Sequence, residues 1–169
     1  MARYRRFDVV GAATPTIVDA TPELADVRMR RAGLKAAMSG LELALAAPAP
    51  NRLLWAEGVR DSLHGLHEVW TRHIVETEAP GAFLDDLVSE APRLSTPASR
   101  LRREHADILA VITRTEKRLS QPPVPDDYDQ WVDDLRAELT ALLASLAKHR
   151  QRGADLVYEA YDVDIGGGF

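Results

Sequence analysis

Apolar residues recur along most of the chain at intervals of three and four, a spacing that places them on one face of an α-helix. Four long segments and one short segment have this pattern. The predicted helices cover residues 22–47, 51–78, 82–90, 96–119 and 128–161. Because the connections between the long helices are short or moderate, neighbouring helices are expected to run antiparallel. The pattern therefore predicts an all-α, up-down-up-down four-helix bundle.

Residues that favour helix ends mark the boundaries of these segments. Thr21 and Pro22 supply an N-cap and a first helical residue, and Thr96 with Pro97 repeat the pair. The Pro-Gly pair at 80–81 ends the second long helix. These signals support a separate helix on each side of every predicted loop.

The bundle is predicted to span residues 21–162 of a chain of 169 residues, which is long enough for one self-sufficient core. Residues 1–20 lack a helical period and are predicted to form an N-terminal arm. Residues 163–169 are predicted to form a loose tail.

Composition and charge narrow the class of protein. A net charge of −5 argues against nucleic acid as a partner, and the absence of cysteine excludes thiolate metal sites. No apolar run approaches the ~20 residues that span a bilayer, and the first residues do not form a secretory signal. We therefore expect a cytoplasmic protein without a membrane partner, of undetermined oligomeric state.

Three histidines, His73, His105 and His149, fall on the apolar faces of three different predicted helices. In an up-down-up-down bundle all three lie toward the same end. A buried imidazole costs free energy unless its nitrogen atoms find partners, so three in one layer favour a metal site. The alternative is that each is hydrogen-bonded within the core. His67 lies at the border of its apolar face and His64 beyond it, as expected for a solvated or flanking pair.

Imidazole ligands suit iron, zinc, copper or nickel. Iron sites in helical bundles normally add carboxylates from the same helices, and Glu76 is the acid nearest to His73 along its helix. Glu104 precedes His105 and is expected to point away along the surface. The predicted metal ligands are therefore His73, His105, His149, Glu76 and His67.

Arginines concentrate at the same end of the predicted bundle. Arg31, Arg72 and Arg103 are candidates for binding an anion, helped by the positive ends of helix dipoles. The alternative is that they form ion pairs with nearby acids.

The order of the histidines resembles that of the hemerythrin-like (HHE cation-binding) domain family. His73 is followed by acids near the end of one helix, Arg103-Glu104-His105 stands early in the next, and His149 stands late in the last. The similar stretch covers residues 53–162. The resemblance implies an antiparallel four-helix bundle with a non-heme di-iron centre, held by histidines and two bridging carboxylates. Members bind dioxygen or act in oxygen, iron or nitric oxide sensing and detoxification.

The ligand set departs from the family pattern. Only His73, His105 and His149 match by position, and the first helix contributes no histidine. The other positions where ligands are expected hold Thr77, Leu101, Leu109 and Ala154. The resemblance thus implies a divergent member. Two alternatives remain: a mononuclear or altered site that draws on His67, Glu76 or a tyrosine, or a bundle that has lost its metal.

Three functions remain open from the sequence. The first is a hemerythrin-like iron protein that handles a small oxidant such as dioxygen, peroxide or nitric oxide. The second is a metal-free helical module that binds a partner or small ligand. The third is a DinB-like metal-dependent transferase, a family that also places three histidines on a bundle and typically holds zinc or nickel.

Overall fold

The computed structural model describes residues 22–162, with the side chains of 32–160. The predicted N-terminal arm and loose tail lie outside the described residues. Within 22–162 the structure is all-α and contains no strand, as predicted. The helices are α1 (Pro22–Ala46), α2 (Arg52–Glu78), α3 (Phe83–Glu90), α4 (Ser95–Leu119) and α5 (Tyr128–Asp162).

The helix ends agree with the sequence signals in most places. Asn51 caps α2, because its side chain accepts a hydrogen bond from the backbone N–H of Leu54. Gly81, in the turn after α2, has φ 72°, a conformation that glycine adopts without steric cost. The N-cap predicted at Thr96 was wrong. A 3-10 turn over Pro92–Leu94 runs directly into α4, so the helix already begins at Ser95.

The four long helices contact one another in a closed order. α1 contacts α2, α2 contacts α4, α4 contacts α5, and α5 contacts α1. Their inward faces form the main core, which is built largely from leucines and includes the fully buried Trp70. Burial of this apolar surface is the main force that holds the helices together.

A second, smaller apolar cluster lies beneath the short helix α3. It joins Leu84 and Leu87 of α3 to Leu101 of α4 and Leu156 of α5. Along α4 the main core resumes at Ile108, and along α5 it ends at Leu146. The segment between the two clusters contains His105 on α4 and His149 on α5. The histidines therefore occupy the junction of two apolar clusters.

None of the helices in the described part of the chain is long and apolar enough to cross a membrane.

Candidate metal centre

Three imidazole nitrogen atoms converge at this junction, one from each of α2, α4 and α5. Nε2 of His149 lies 3.3 Å from Nε2 of His73 and 3.1 Å from Nε2 of His105. A ligand nitrogen from each of the three residues lies within 4.8 Å of the others. A tetrahedral ion with metal–nitrogen bonds of about 2.0–2.1 Å requires ligand atoms roughly 3.3 Å apart. The two separations from Nε2 of His149 match this requirement.

Two carboxylates fix the orientation of two of these rings. Glu78, the last residue of α2, contacts Nδ1 of His105. Glu104 of α4 contacts Nδ1 of His149 at 3.1 Å, and its other oxygen accepts a hydrogen bond of 2.6 Å from Arg152. Metal-bound histidines characteristically donate their second ring N–H to a carboxylate in this way.

The same carboxylates determine which ring nitrogens carry lone pairs. A carboxylate only accepts hydrogen bonds, so Nδ1 of His105 and of His149 must be the protonated nitrogen. Each neutral ring then has its lone pair on Nε2, and these two atoms face each other at 3.1 Å. Two facing lone pairs repel unless a proton or a metal ion lies between them, and the lowered pKa values of both rings disfavour the proton. This arrangement therefore favours metal ligation over a core of hydrogen-bonded histidines.

Trp70 forms one wall of the cluster. Its ring stacks on that of His73 with centroids 5.1 Å apart and meets His149 edge-on at 5.0 Å. Its indole N–H donates to the backbone carbonyl of His105 at 3.3 Å. On the other side of the His73 backbone, the hydroxyl of Thr77 donates to the His73 carbonyl at 2.8 Å. The Trp70 ring thus packs against the imidazoles of His73 and His149 without using their Nε2 atoms.

The cluster keeps its imidazoles neutral. Burial, with the neighbouring His105 and His149, lowers the pKa of His73 to about 3. Burial and the adjacent His105 lower the pKa of His149 to about 4, although Glu104 opposes the shift. Burial also lowers the pKa of His105, against the opposing effect of Glu78. Because a metal binds only the unprotonated ring, all three side chains are ready to bind at neutral pH.

The structure brings together three of the five predicted ligands. His73, His105 and His149 form the cluster, and Glu76 is not among the side chains that converge there. His67 belongs to a separate group that includes Glu116 of α4.

Of the predicted anion-binding residues, the structure gives only the exposure of two. The side chain of Arg31 lies outside the described part of the chain, whereas Arg72 and Arg103 are exposed. Arg152 approaches the histidine cluster through Glu104, and the charge of Arg102 also acts on His105. Anion binding at this end stays a prediction.

Sequence reasoning missed both carboxylates of the cluster. The prediction that Glu104 points away from the site was wrong, because α4 packs on α5 and its side chain reaches across to His149. Glu78 was passed over in favour of Glu76. The available signal was its position in the last turn of α2, close to the start of α4 in the antiparallel arrangement expected from the sequence.

A groove of about 310 Å³ lies beside the cluster, lined by residues of α4 and α5. The lining residues of this groove include four charged side chains: Glu104, Asp107, Lys148 and Arg152. The ion pair that orients His149 is therefore part of the groove wall.

Comparison with protein-family models, with curated protein sequences and with solved structures finds no match to this chain. What this site does must therefore be argued from its geometry.

Proposed function

We propose that this protein is a mononuclear, non-heme metal protein in which His73, His105 and His149 bind one divalent transition-metal ion. The observation that carries the proposal is the convergence of three imidazoles, with Nε2 of His149 at 3.3 and 3.1 Å from Nε2 of His73 and His105 and with two of the rings oriented by carboxylates. Three protein ligands leave a coordination position open, as in catalytic zinc sites. The bound ion would supply a Lewis-acidic position for a small ligand.

We further propose that the four long helices form the up-down-up-down bundle expected from the sequence, over residues 21–162 with an N-terminal arm. The closed order of contacts from α1 through α2, α4 and α5 supports this topology. The hemerythrin-like family remains the expectation for its lineage. A cytoplasmic location and the absence of a nucleic-acid partner stay predictions from composition.

The geometry favours a single ion over the di-iron centre that the family resemblance implies. A di-iron site needs bridging carboxylates, and among the described residues no acid belongs to the group formed by the three histidines. Glu78 and Glu104 contact the outer nitrogens of the rings instead. An ion held by three neutral imidazoles keeps its full positive charge, so small anionic or polar ligands are the class that it would bind.

The identity of the ion decides between two functions: binding of a small oxidant and activation of a bound water or thiol. Iron in this site supports binding of a small oxidant such as dioxygen, peroxide or nitric oxide. Zinc supports activation of a bound water or thiol, as in a DinB-like transferase or hydrolase. Both rest on the same three ligands.

The test is elemental analysis of the full chain purified from metal-replete medium and desalted. We expect about one equivalent of iron or zinc per chain, and its loss in His149→Gln. Arg150→Gln, an exposed neighbour on the same helix, is the matched control and should retain the metal. Trace metal in the unaltered protein would instead support the metal-free helical module.

A further inference from the structure

A second group of metal-ligating side chains lies apart from His73, His105 and His149, which are called the histidine triad below. His64 and His67 are three residues apart on α2 and therefore project from the same side of that helix. Glu116 of α4 faces them from the adjacent helix. His67 and His73 are six residues apart, which corresponds to about 9 Å along the helix axis. The two groups therefore cannot share one ion.

The geometry of this second group suits a metal ion shared between two helices. Nδ1 of His67 lies 2.8 Å from Oε2 of Glu116, and Nδ1 of His64 lies 3.5 Å from Oε1. A ligand atom from each residue lies within 4.8 Å of the others. Each carboxylate oxygen thus faces a different imidazole. In the metal-free chain the 2.8 Å contact of His67 is a hydrogen bond, so an ion that binds both atoms displaces the Nδ1 proton to solvent.

One carboxylate oxygen of Glu116 is buried without a hydrogen bond from the described residues, and a bound cation would compensate its charge. Its Oε1 atom is shielded from solvent and accepts no hydrogen bond from any residue of the described ranges. A buried carboxylate oxygen without a hydrogen bond is costly, because the desolvation of the charge is compensated only in part. Nδ1 of His64 lies 3.5 Å from this oxygen, which is longer than a usual N–H···O hydrogen bond but suitable for a second ligand of one ion.

We propose that His64, His67 and Glu116 form a second metal site, which binds a divalent ion of the zinc, copper or nickel class. Two imidazoles and one carboxylate are a ligand set that zinc uses in proteins, and imidazole selects these ions over magnesium and calcium. His64 is 68% exposed, so the ion enters and leaves from solvent. The bound ion joins α2 to α4 and stabilises their packing.

The site differs from the histidine triad in exchange behaviour. The triad ligands His105 and His149 are buried, whereas two of the three ligands here are only partly buried and the third is exposed. We therefore expect the second site to bind more weakly and to empty during desalting. It thus has no part in the tightly held equivalent assigned to the triad.

The experiment is a calorimetric titration of the metal-stripped full chain with Zn²⁺ near neutral pH. The unaltered protein should bind two equivalents, one tightly and one more weakly. His64→Ala and Glu116→Gln should each remove the weaker class and leave the tight class. Glu68→Gln is the matched control: this acid also lies on α2 and approaches His64 at 3.8 Å, but it is outside the ligand group. It should retain both classes.

The triad and the second site can fail separately in this titration. In His149→Gln the weaker class should persist, which distinguishes it from partial occupancy of the triad. A single equivalent that is lost in His149→Gln but survives His64→Ala, or a weaker class that survives His64→Ala, would overturn the proposal. A single equivalent that is lost in His64→Ala would instead count against the triad. His64 is exposed, so this variant is expected to fold, and circular dichroism of each variant confirms that the helices are intact.

Discussion

Acidification should destabilise the metal-free protein steeply, because its buried histidines resist protonation. His73 and His149 have pKa values lowered to about 3 and about 4 in the folded state, from 6.5 when exposed. Between pH 6.5 and these folded pKa values, the unfolded chain binds protons that the folded chain does not. Stability from this source is fully present above pH 6.5 and is lost as the pH falls toward the folded pKa.

The magnitude follows from the same shifts. From pH 7 to pH 5, each histidine that stays neutral in the fold costs about 2 kcal/mol of the free energy of unfolding. His73 and His149 together therefore remove about 4 kcal/mol, and His105, whose pKa is lowered too, adds in the same direction. Domains of this size are stable by roughly 5–15 kcal/mol, so the loss is a large fraction of the total.

Urea unfolding of the metal-stripped protein at pH 7, 6 and 5 measures this effect. Carboxylates also titrate near this range, so the contribution of the histidines is read from a variant. In His149→Gln the dependence of unfolding free energy on pH should be shallower by about 1.2 kcal/mol per unit between pH 6 and 5. Equal slopes in the two proteins would refute the account of a buried neutral His149.

Three further substitutions test the contacts around the site and the fold. Glu104→Gln removes the charge that orients His149 and should weaken tight metal binding by roughly 10–100-fold in a competition titration. The control, Asp107→Asn at an exposed position, should leave the affinity unchanged. Equal affinities in Glu104→Gln and the unaltered protein would count against an orienting role. Trp70→Ala leaves a cavity in the core and should cost about 3–5 kcal/mol in guanidinium unfolding, and a cost below 1 kcal/mol would mean that the indole is not a packed wall. Asn51→Ala removes the N-cap of α2 and should cost about 1 kcal/mol in the same assay, with no change in metal content; an unchanged stability would argue against this cap.

The sequence predicted the helices and the histidine cluster because both depend on periodicity. An imidazole near the middle of an apolar stripe, such as His105, must face the core, because the apolar stripe is the face that packs on other helices. The alternating helix directions expected from the sequence then place His73 and His149, both late in their helices, at the same level as His105. The prediction needed no knowledge of the exact rotation of each helix, so it survived small errors in the helix boundaries.

The carboxylates of both groups depend on interhelical details that periodicity does not contain. Glu104 is on the flank of α4, and whether it reaches His149 is decided by how closely α5 packs there. Likewise, the position of His67 at the border of its apolar face does not reveal that Glu116 of another helix lies opposite. The residue types were visible in the sequence, but their pairing across helices was not.

The central claim is that one metal ion is bound by three imidazoles, and X-ray absorption spectroscopy of the desalted, metal-loaded protein tests it most directly. The account predicts a nearest shell at about 2.0–2.1 Å, with the outer scattering of three imidazole rings. It predicts no second metal at the separation of about 3.5–4 Å that is typical of two-metal sites. A metal–metal signal, or a shell of oxygen atoms without imidazole scattering, would contradict the account.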